Sequence, residues 1–375
     1  MKKIAIIEPI GSNCGMDHYT FGLGKGFVKN NIETHIYTSD SEIDVVEGLH
    51  VQKYYKSFFA CKFKPLKIML YIYSLIKSIL HIKNRKIKNV QIHIFHYGIV
   101  ELLTIYIIQL FNLKPCAIIH DVESFFNNKL NLQKLIFRSL KHVVVHNQYS
   151  KKELQKAINT DLLKTLNIHV IPHGNFIQTV NKIDKSLARA SVGLNDGDEI
   201  VMFFGQIKEV KGLELLINGF AELIKQKPHT KLLIAGKPWK NTFEKYDELI
   251  QKHNINENVI KHIKFIPDDL LESYYCSADI IVLPYKKIYQ SGVLLFAMSL
   301  GAVTVCSDLP AMREVVKDGE NGYLTDCYNP KALCKTLIDA LESNSDLVSK
   351  NAIECMEQEF NWEVIAKEHL EIVIK

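Results

Sequence analysis

The chain has 375 residues, 47% of them hydrophobic and 23% charged, which excludes a disordered or fibrous protein and allows two domains with separate cores. Its formal net charge of +5 conceals an asymmetry, with 23 Lys+Arg against 12 Asp+Glu in residues 1–175 and 23 against 29 in the remainder. The eight cysteines are scattered without a Cys-x-x-Cys pair. They read as reduced core residues of a cytosolic protein, with no zinc site.

In chain order, Lys2 and Lys3 precede only a short apolar run broken by Glu8 and Pro9. This predicts a first β-strand over 3–7 in preference to a signal peptide. Further apolar runs of strand length fall at 33–37, 91–95, 116–119, 142–145 and 168–171, separated mostly by segments of helical spacing. The alternation predicts a mainly parallel sheet covered on both faces. Gly22, Gly24 and Gly26, with Asp40 after the second strand, mimic a nicotinamide-binding fingerprint. They follow His18, Tyr19 and Thr20, already inside the expected helix, so helix packing accounts for them better.

Between Lys62 and Lys88 eight cations flank the apolar stretch Leu66 to Ile82. Such a helix fits the surface of an anionic membrane, at about 1 kcal/mol per basic residue. It equally fits a core helix with a solvated face, and the two readings stand side by side. Ile68 to Leu80, which contains Lys77, and Leu102 to Leu113 are each expected to be too short to cross a bilayer.

The polar segment Pro172 to Asp198 is expected to link two domains. Beyond it the strand grammar restarts at 200–204, 231–235, 259–265, 279–283 and 302–306. Phe203-Phe204-Gly205-Gln206-Ile207 leads through a polar loop into Lys211-Gly212 and an apolar helix. Ile280 to Pro284 leads through Tyr285 to Ser291 into Gly292, Val293 and a second apolar helix. A strand, a loop and a helix amino terminus beside a lysine form a receptor for an anion, because the first helical N–H groups lack intrahelical partners and carry the positive end of the dipole. Two such ends in one domain suit a diphosphate; ordinary capping by Ser291 and turning at Gly292 is the plainer alternative for either taken alone.

Several stretches together resemble the family-four (group 1) retaining glycosyltransferases. They are residues 203–213, Leu232 to Gly236, Ala278 to Tyr285, Gln290 to Leu294 and Ser307 to Leu324, with Ile118 to Asp121, Val143 to Leu154, Val170 to Asn175 and Cys14-Gly15-Met16 in the front half. The resemblance implies an α/β protein of GT-B architecture, in which two Rossmann-like domains face a cleft. It divides the chain into an acceptor-side domain over 1–175, a nucleotide-sugar donor domain over 176–358, and a terminal helix in 359–375 that crosses back to the first domain.

For the site, the resemblance implies that His120 lies at the catalytic centre, against the transferred sugar, and that Lys211 stabilises the departing diphosphate. Gly15, Gln206, Lys211, Ser291, Gly292 and Val293 are expected around the phosphates. No cofactor and no metal are expected, the nucleoside-diphosphate sugar being a substrate. The chain departs from the common pattern in three places. Phe296 and Ile288 stand where glutamates are usual, and Gln206 replaces an arginine. A branch with Gln-Ser-Gly at this loop, here Gln290 to Gly292, shares the missing glutamates. Ribose and sugar contacts must then come from other residues, with Tyr285, Tyr289, Gln290 and Asp308 as candidates.

The expected partners are a nucleotide-sugar donor, a glycan or lipid-linked glycan acceptor and the surface of an anionic membrane; nucleic acid is not expected. The expected location is the cytoplasm or the inner face of the membrane. Two other functions compete with transfer: a catalytically degenerate nucleotide-binding scaffold, and a nucleotide-sugar epimerase.

Overall fold

The computed structural model describes residues 2–12, 16–40, 46–122, 132–158, 160–240 and 242–373. The chain divides into two compact units, one made of Met1–Gly174 with Phe360–Lys375 and the other of Asn175–Glu359.

Among the described residues the first unit holds seven strands: β1 (Lys2–Ile7), β2 (Ile32–Tyr37), β3 (Leu49–Gln52), β4 (Asn89–Ile94), β5 (Lys114–Ile119), β6 (His142–Val145) and β7 (Asn167–Val170). They form one sheet in the order β3-β2-β1-β4-β5-β6-β7, and every pairing is parallel. The strand order reverses between β1 and β4. Crossovers leave in opposite directions there, so their carboxyl ends open a crevice, the usual ligand position in such sheets. The sequence reading finds six of these strands. It misses β3, a four-residue edge strand reading Leu-His-Val-Gln, which has too few apolar residues to register as a run.

The helix Met16–Lys29 packs on this sheet, with Tyr19, Phe21, Leu23 and Phe27 buried. The terminal helix Trp362–Val373 belongs to the same unit and shares its core through Trp362, Ile365, Ala366 and Val373. A Cβ built on Gly22 would fall 2.3 Å from the Trp362 ring, and one on Gly174 would fall 2.2 Å from it. Gly22 therefore admits the indole, Gly26 the Trp362 backbone, and Gly24 the side chains of Leu49 and Ile36, which is the packing role expected of them. The basic segment folds as the helix Lys64–Asn84, 21 residues long, and longer than the sequence reading allowed. Its Pro65–Asn84 portion is long and apolar enough to cross a membrane by length and composition, which corrects the expectation that it is too short. Ser74, Leu75, Ser78, Ile79 and Ile82 are buried, and Ser74 donates to the Tyr54 carbonyl at 2.7 Å.

The second unit holds β8 (Ile200–Phe204), β9 (Lys231–Ala235), β10 (Val259–His262), β11 (Ile280–Leu283), β12 (Thr304–Ser307) and β13 (Tyr323–Thr325). Their order is β10-β9-β8-β11-β12-β13, again with every pairing parallel. The reversal here lies between β8 and β11. The three-residue edge strand β13 is the one the sequence reading misses. The expected linker is also corrected: Lys185–Val192 is a helix capped by Asp184, and buried Arg189 ties it to the unit. Arg189 donates from Nε to the Ser277 carbonyl at 3.0 Å and pairs through Nη2 with Asp279 at 2.9 Å.

Candidate functional site

In the first unit four adjacent strands each deliver a histidine at their carboxyl ends. His93 is the fifth residue of β4, His120 directly follows β5, His146 directly follows β6, and His173 lies three residues beyond β7. They gather around one buried tyrosine. The ring of Tyr19 lies 5.2 Å from His93, 5.2 Å from His120, 5.3 Å from His146 and 4.8 Å from His173, measured between centroids. His120 also stacks on Phe95 at 4.6 Å, and its Nε2 lies 3.0 Å from His93 Nδ1, so one ring donates to the other.

Burial among these rings favours the uncharged imidazole. Burial, and then the neighbouring histidines, hold His120 well below the usual histidine range. Burial first, and then neighbouring histidines, take His93 and His173 down to about 3. Burial takes His146 down to about 4. A neutral, partly exposed His120 can donate or accept one hydrogen bond without carrying charge.

Glu8, the residue after β1, is fully buried. Its carboxyl accepts from the backbone N–H of Ile10 at 2.6 Å and of Gly11 at 2.9 Å, shaping the loop that leaves this strand. Burial pushes its carboxyl up to about 7 against the opposing pull of those hydrogen bonds. Gly15, expected in that loop, lies outside the described residues. A cavity of about 210 Å³ at the β1–β4 switch point is lined by Ile7, Pro9, Ile94 and Phe95, and by Tyr71 and Glu101 from flanking helices.

In the second unit the loops after β8 and β11 meet at the switch point. The Lys286 N–H donates to the Val210 carbonyl at 2.9 Å, and Lys211 Nζ lies 3.7 Å from the Tyr285 ring centroid. Lys211 does not open the helix as the sequence suggests. It closes a short 3₁₀ turn, Glu209–Lys211, and Gly212, at φ +67°, caps the helix Leu213–Leu223. The reason is steric: a Cβ on Gly212 would stand 1.9 Å from the Pro284 carbonyl oxygen, so the β11 loop closes directly over this turn.

The helix Gly292–Ser299 begins as expected. Ser291 is its N-cap, and its hydroxyl accepts from the Leu294 N–H at 3.2 Å. That hydroxyl therefore serves the helix. The N–H groups of Gly292 and Val293, in the first turn, are the ones left to an incoming anion. Beside them, the Tyr285 hydroxyl and Gln290 Nε2 are buried without a protein partner, the condition of groups placed for a ligand. Gln206 is exposed just past β8. Asp308 is engaged by Arg313 in a two-point pair, with Nη2 to Oδ2 at 2.6 Å, which holds its carboxyl below the usual range. Phe296 packs between Phe176 and Tyr275, with ring centroids 5.5 and 4.7 Å away.

Among the described residues one trio brings metal-ligating atoms within 4.8 Å of one another: Glu33, His35 and His50. It stands on the neighbouring strands β2 and β3, and Lys3 Nζ already pairs with Glu33 at 2.9 Å. It contributes nothing to either switch point.

Two all-parallel sheets, each flanked by helices, define the GT-B class of fold. Sucrose-phosphate synthase from Thermosynechococcus elongatus has the same fold, at a TM-score of 0.76 and 18% identity over 99% of this chain and 98% of that one. So does HepE from Anabaena, solved with UDP and glucose, at 0.73 and 15% over 100% of both. Residues 184–354, all within the second unit, match the family model described as glycosyl transferases group 1. Sequence relatives include an uncharacterised glycosyltransferase of Methanocaldococcus jannaschii, 25% identical over 61% of this chain and 59% of its own length. The D-inositol 3-phosphate glycosyltransferase of Nocardia farcinica is 28% identical over 42% of this chain and 36% of its own length. The chain thus spans well under two thirds of the length of these curated relatives.

Proposed function

We propose that the chain is a retaining glycosyltransferase. It moves a hexose-type sugar from a nucleoside-diphosphate sugar to a growing glycan or lipid-linked acceptor in cell-surface polysaccharide biosynthesis, on the cytoplasmic side and without a metal. The observation that carries this reading is the meeting of Lys211, the first turn of Gly292–Ser299 and the unpartnered Tyr285 and Gln290 groups at one switch point. The seven described cysteines are free, which suits a reducing compartment.

In this mechanism the bond between the anomeric carbon and the diphosphate oxygen breaks, and the acceptor oxygen bonds to that carbon on the same face. The acceptor's proton passes to the departing phosphate. Charge builds on the diphosphate, and preorganised donors aimed at it, Lys211 and the Gly292 and Val293 N–H groups, lower the barrier. His120, held neutral, bonds to the sugar and does not act as a base. One observation favours the scaffold alternative: Phe296, between two aromatic rings, occupies a position where the resemblance expects a glutamate.

The test is thermal stabilisation by UDP, GDP, ADP, TDP and NAD, with and without EDTA. A ligand at about 100 times its dissociation constant stabilises the fold by about 2.7 kcal/mol. One diphosphate should act, with EDTA present. Lys211→Ala should abolish that shift, while His120→Ala should keep it and lose transfer, and the product should retain the donor's anomeric configuration. Stabilisation by NAD alone, or full transfer in both variants, would overturn the reading.

A further inference from the structure

The first unit presents two neighbouring helices whose outward faces are apolar. On Lys64–Asn84 the residues Leu66, Met69, Tyr73, Ile76 and Leu80 are exposed, Met69 by 67% and Tyr73 by 65%. Their spacing of three and four places them on one stripe along the helix. On Ile99–Leu110 the residues Ile99, Leu103, Tyr106 and Leu110 repeat the pattern, and Leu110 is 79% exposed. The helices touch: Tyr71 bonds to Thr104 at 2.8 Å, and Lys83 Nζ donates to the Phe111 carbonyl at 3.2 Å.

Isolated exposed apolar residues are ordinary, but two ordered stripes on adjoining helices are not. The charge around them is of one sign. Between Glu47 and Glu101 the sequence has ten Lys and Arg and no acidic residue. Lys62, Lys77, Lys83, Arg85 and Lys86 are exposed at the ends and flanks of the first stripe.

We propose that this two-helix face docks the chain on an anionic lipid bilayer, with both helices lying in the interface. The burial of Ser74, Leu75, Ser78, Ile79 and Ile82 on the opposite side of the first helix holds it to its unit, so it lies in the membrane plane and does not cross. Cations along the flanks meet lipid headgroups while the stripes enter the acyl boundary. The switch-point cavity, lined in part by Tyr71, Val100 and Thr104 of these helices, then stands next to the membrane surface. The inference does not depend on the transferase reading.

The test is co-sedimentation of the full chain with vesicles of phosphatidylcholine, alone or with about 30% phosphatidylglycerol, at low and high salt. The chain should pellet with the anionic vesicles and be released by salt. The triple variant Met69→Glu, Tyr73→Glu, Leu110→Glu should stay in solution, and Lys62→Gln, Lys77→Gln, Lys83→Gln should weaken binding several-fold. All these positions are exposed, and an unchanged melting temperature checks that each variant folds. Failure of the folded chain to pellet, or equal pelleting with phosphatidylcholine alone, would overturn the proposal. So would a concentration-dependent dimer, with no vesicle binding, that the same glutamates dissociate.

Discussion

Gly212→Ala tests how the proposed diphosphate receptor is assembled. The residue sits at φ +67°, where an alanine costs about 1–2 kcal/mol. Its Cβ would also lie 1.9 Å from the Pro284 carbonyl oxygen. Ordinary C···O contact is about 3.3 Å, so the loops after β8 and β11 must part by roughly 1.4 Å, adding about 1–3 kcal/mol of overpacking. The expected loss is about 2–5 kcal/mol. Gly193→Ala is the control, because that glycine has φ +75° in the same unit with nothing within 4 Å of a built Cβ. It should lose only the backbone cost, about 1–2 kcal/mol. Chemical denaturation followed through the second unit's transition gives both values. Separating the loops also draws Lys211 away from Tyr285, so Gly212→Ala should blunt stabilisation by the nucleoside diphosphate while Gly193→Ala should not. Equal losses in the two variants would refute the loop-contact argument.

Glu8→Gln should change how the first unit responds to pH. Buried Glu8 holds its proton up to about 7 against an ordinary 4.5, so between those values the folded state binds more protons than the unfolded one and stability falls as pH rises. The full loss is about 3 kcal/mol by pH 8, at about 1.4 kcal/mol per unit, and the glutamine variant should escape it. His93, His146, His173 and His369 act oppositely, their depressed values removing stability as pH falls below 6.5, so the variant is to be read as a difference from the parent at each pH. A difference that stays constant from pH 4.5 to 8 would contradict the Glu8 assignment. Arg189→Met should cost about 1–3 kcal/mol, since it removes the donor to the Ser277 carbonyl and one of the partners of Asp279, whose carboxylate keeps Lys185 and the Ile200 N–H. Arg189→Lys should not restore it, having no fork to reach both acceptors, and a loss under about 1 kcal/mol in urea titration would show the pair to be incidental.

Most strands, four-residue ones such as His142–Val145 and Ile280–Leu283 included, were legible in the sequence because a parallel sheet buried on both faces demands unbroken hydrophobic runs. The edge strands β3 and β13 were not, since β3 reads Leu-His-Val-Gln with no unbroken apolar run and β13 has three residues in all. The Ser291 cap was readable from a polar residue before an apolar helix. The place of Lys211 was not, because the 3₁₀ turn depends on Pro284, more than seventy residues away. His120 was singled out through the family resemblance, but its surroundings were missed. A pattern was available in the sequence, a histidine at or just after each of four successive apolar runs. Only parallel alignment of β4 to β7 turns that repetition into a cluster around Tyr19.

Trp362 lies 340 residues after Gly22 in the sequence and beside it in the fold. The first unit is thus begun before the second and cannot be completed until the helix Trp362–Val373 leaves the ribosome, whereas Asn175–Glu359 is continuous and can fold in passing. During that interval Tyr19, Phe21 and Phe27 wait without the indole that covers them, on a nascent chain already carrying the apolar helix Lys64–Asn84. A stop codon placed directly after Phe360 would spare the whole second unit and leave the first permanently open.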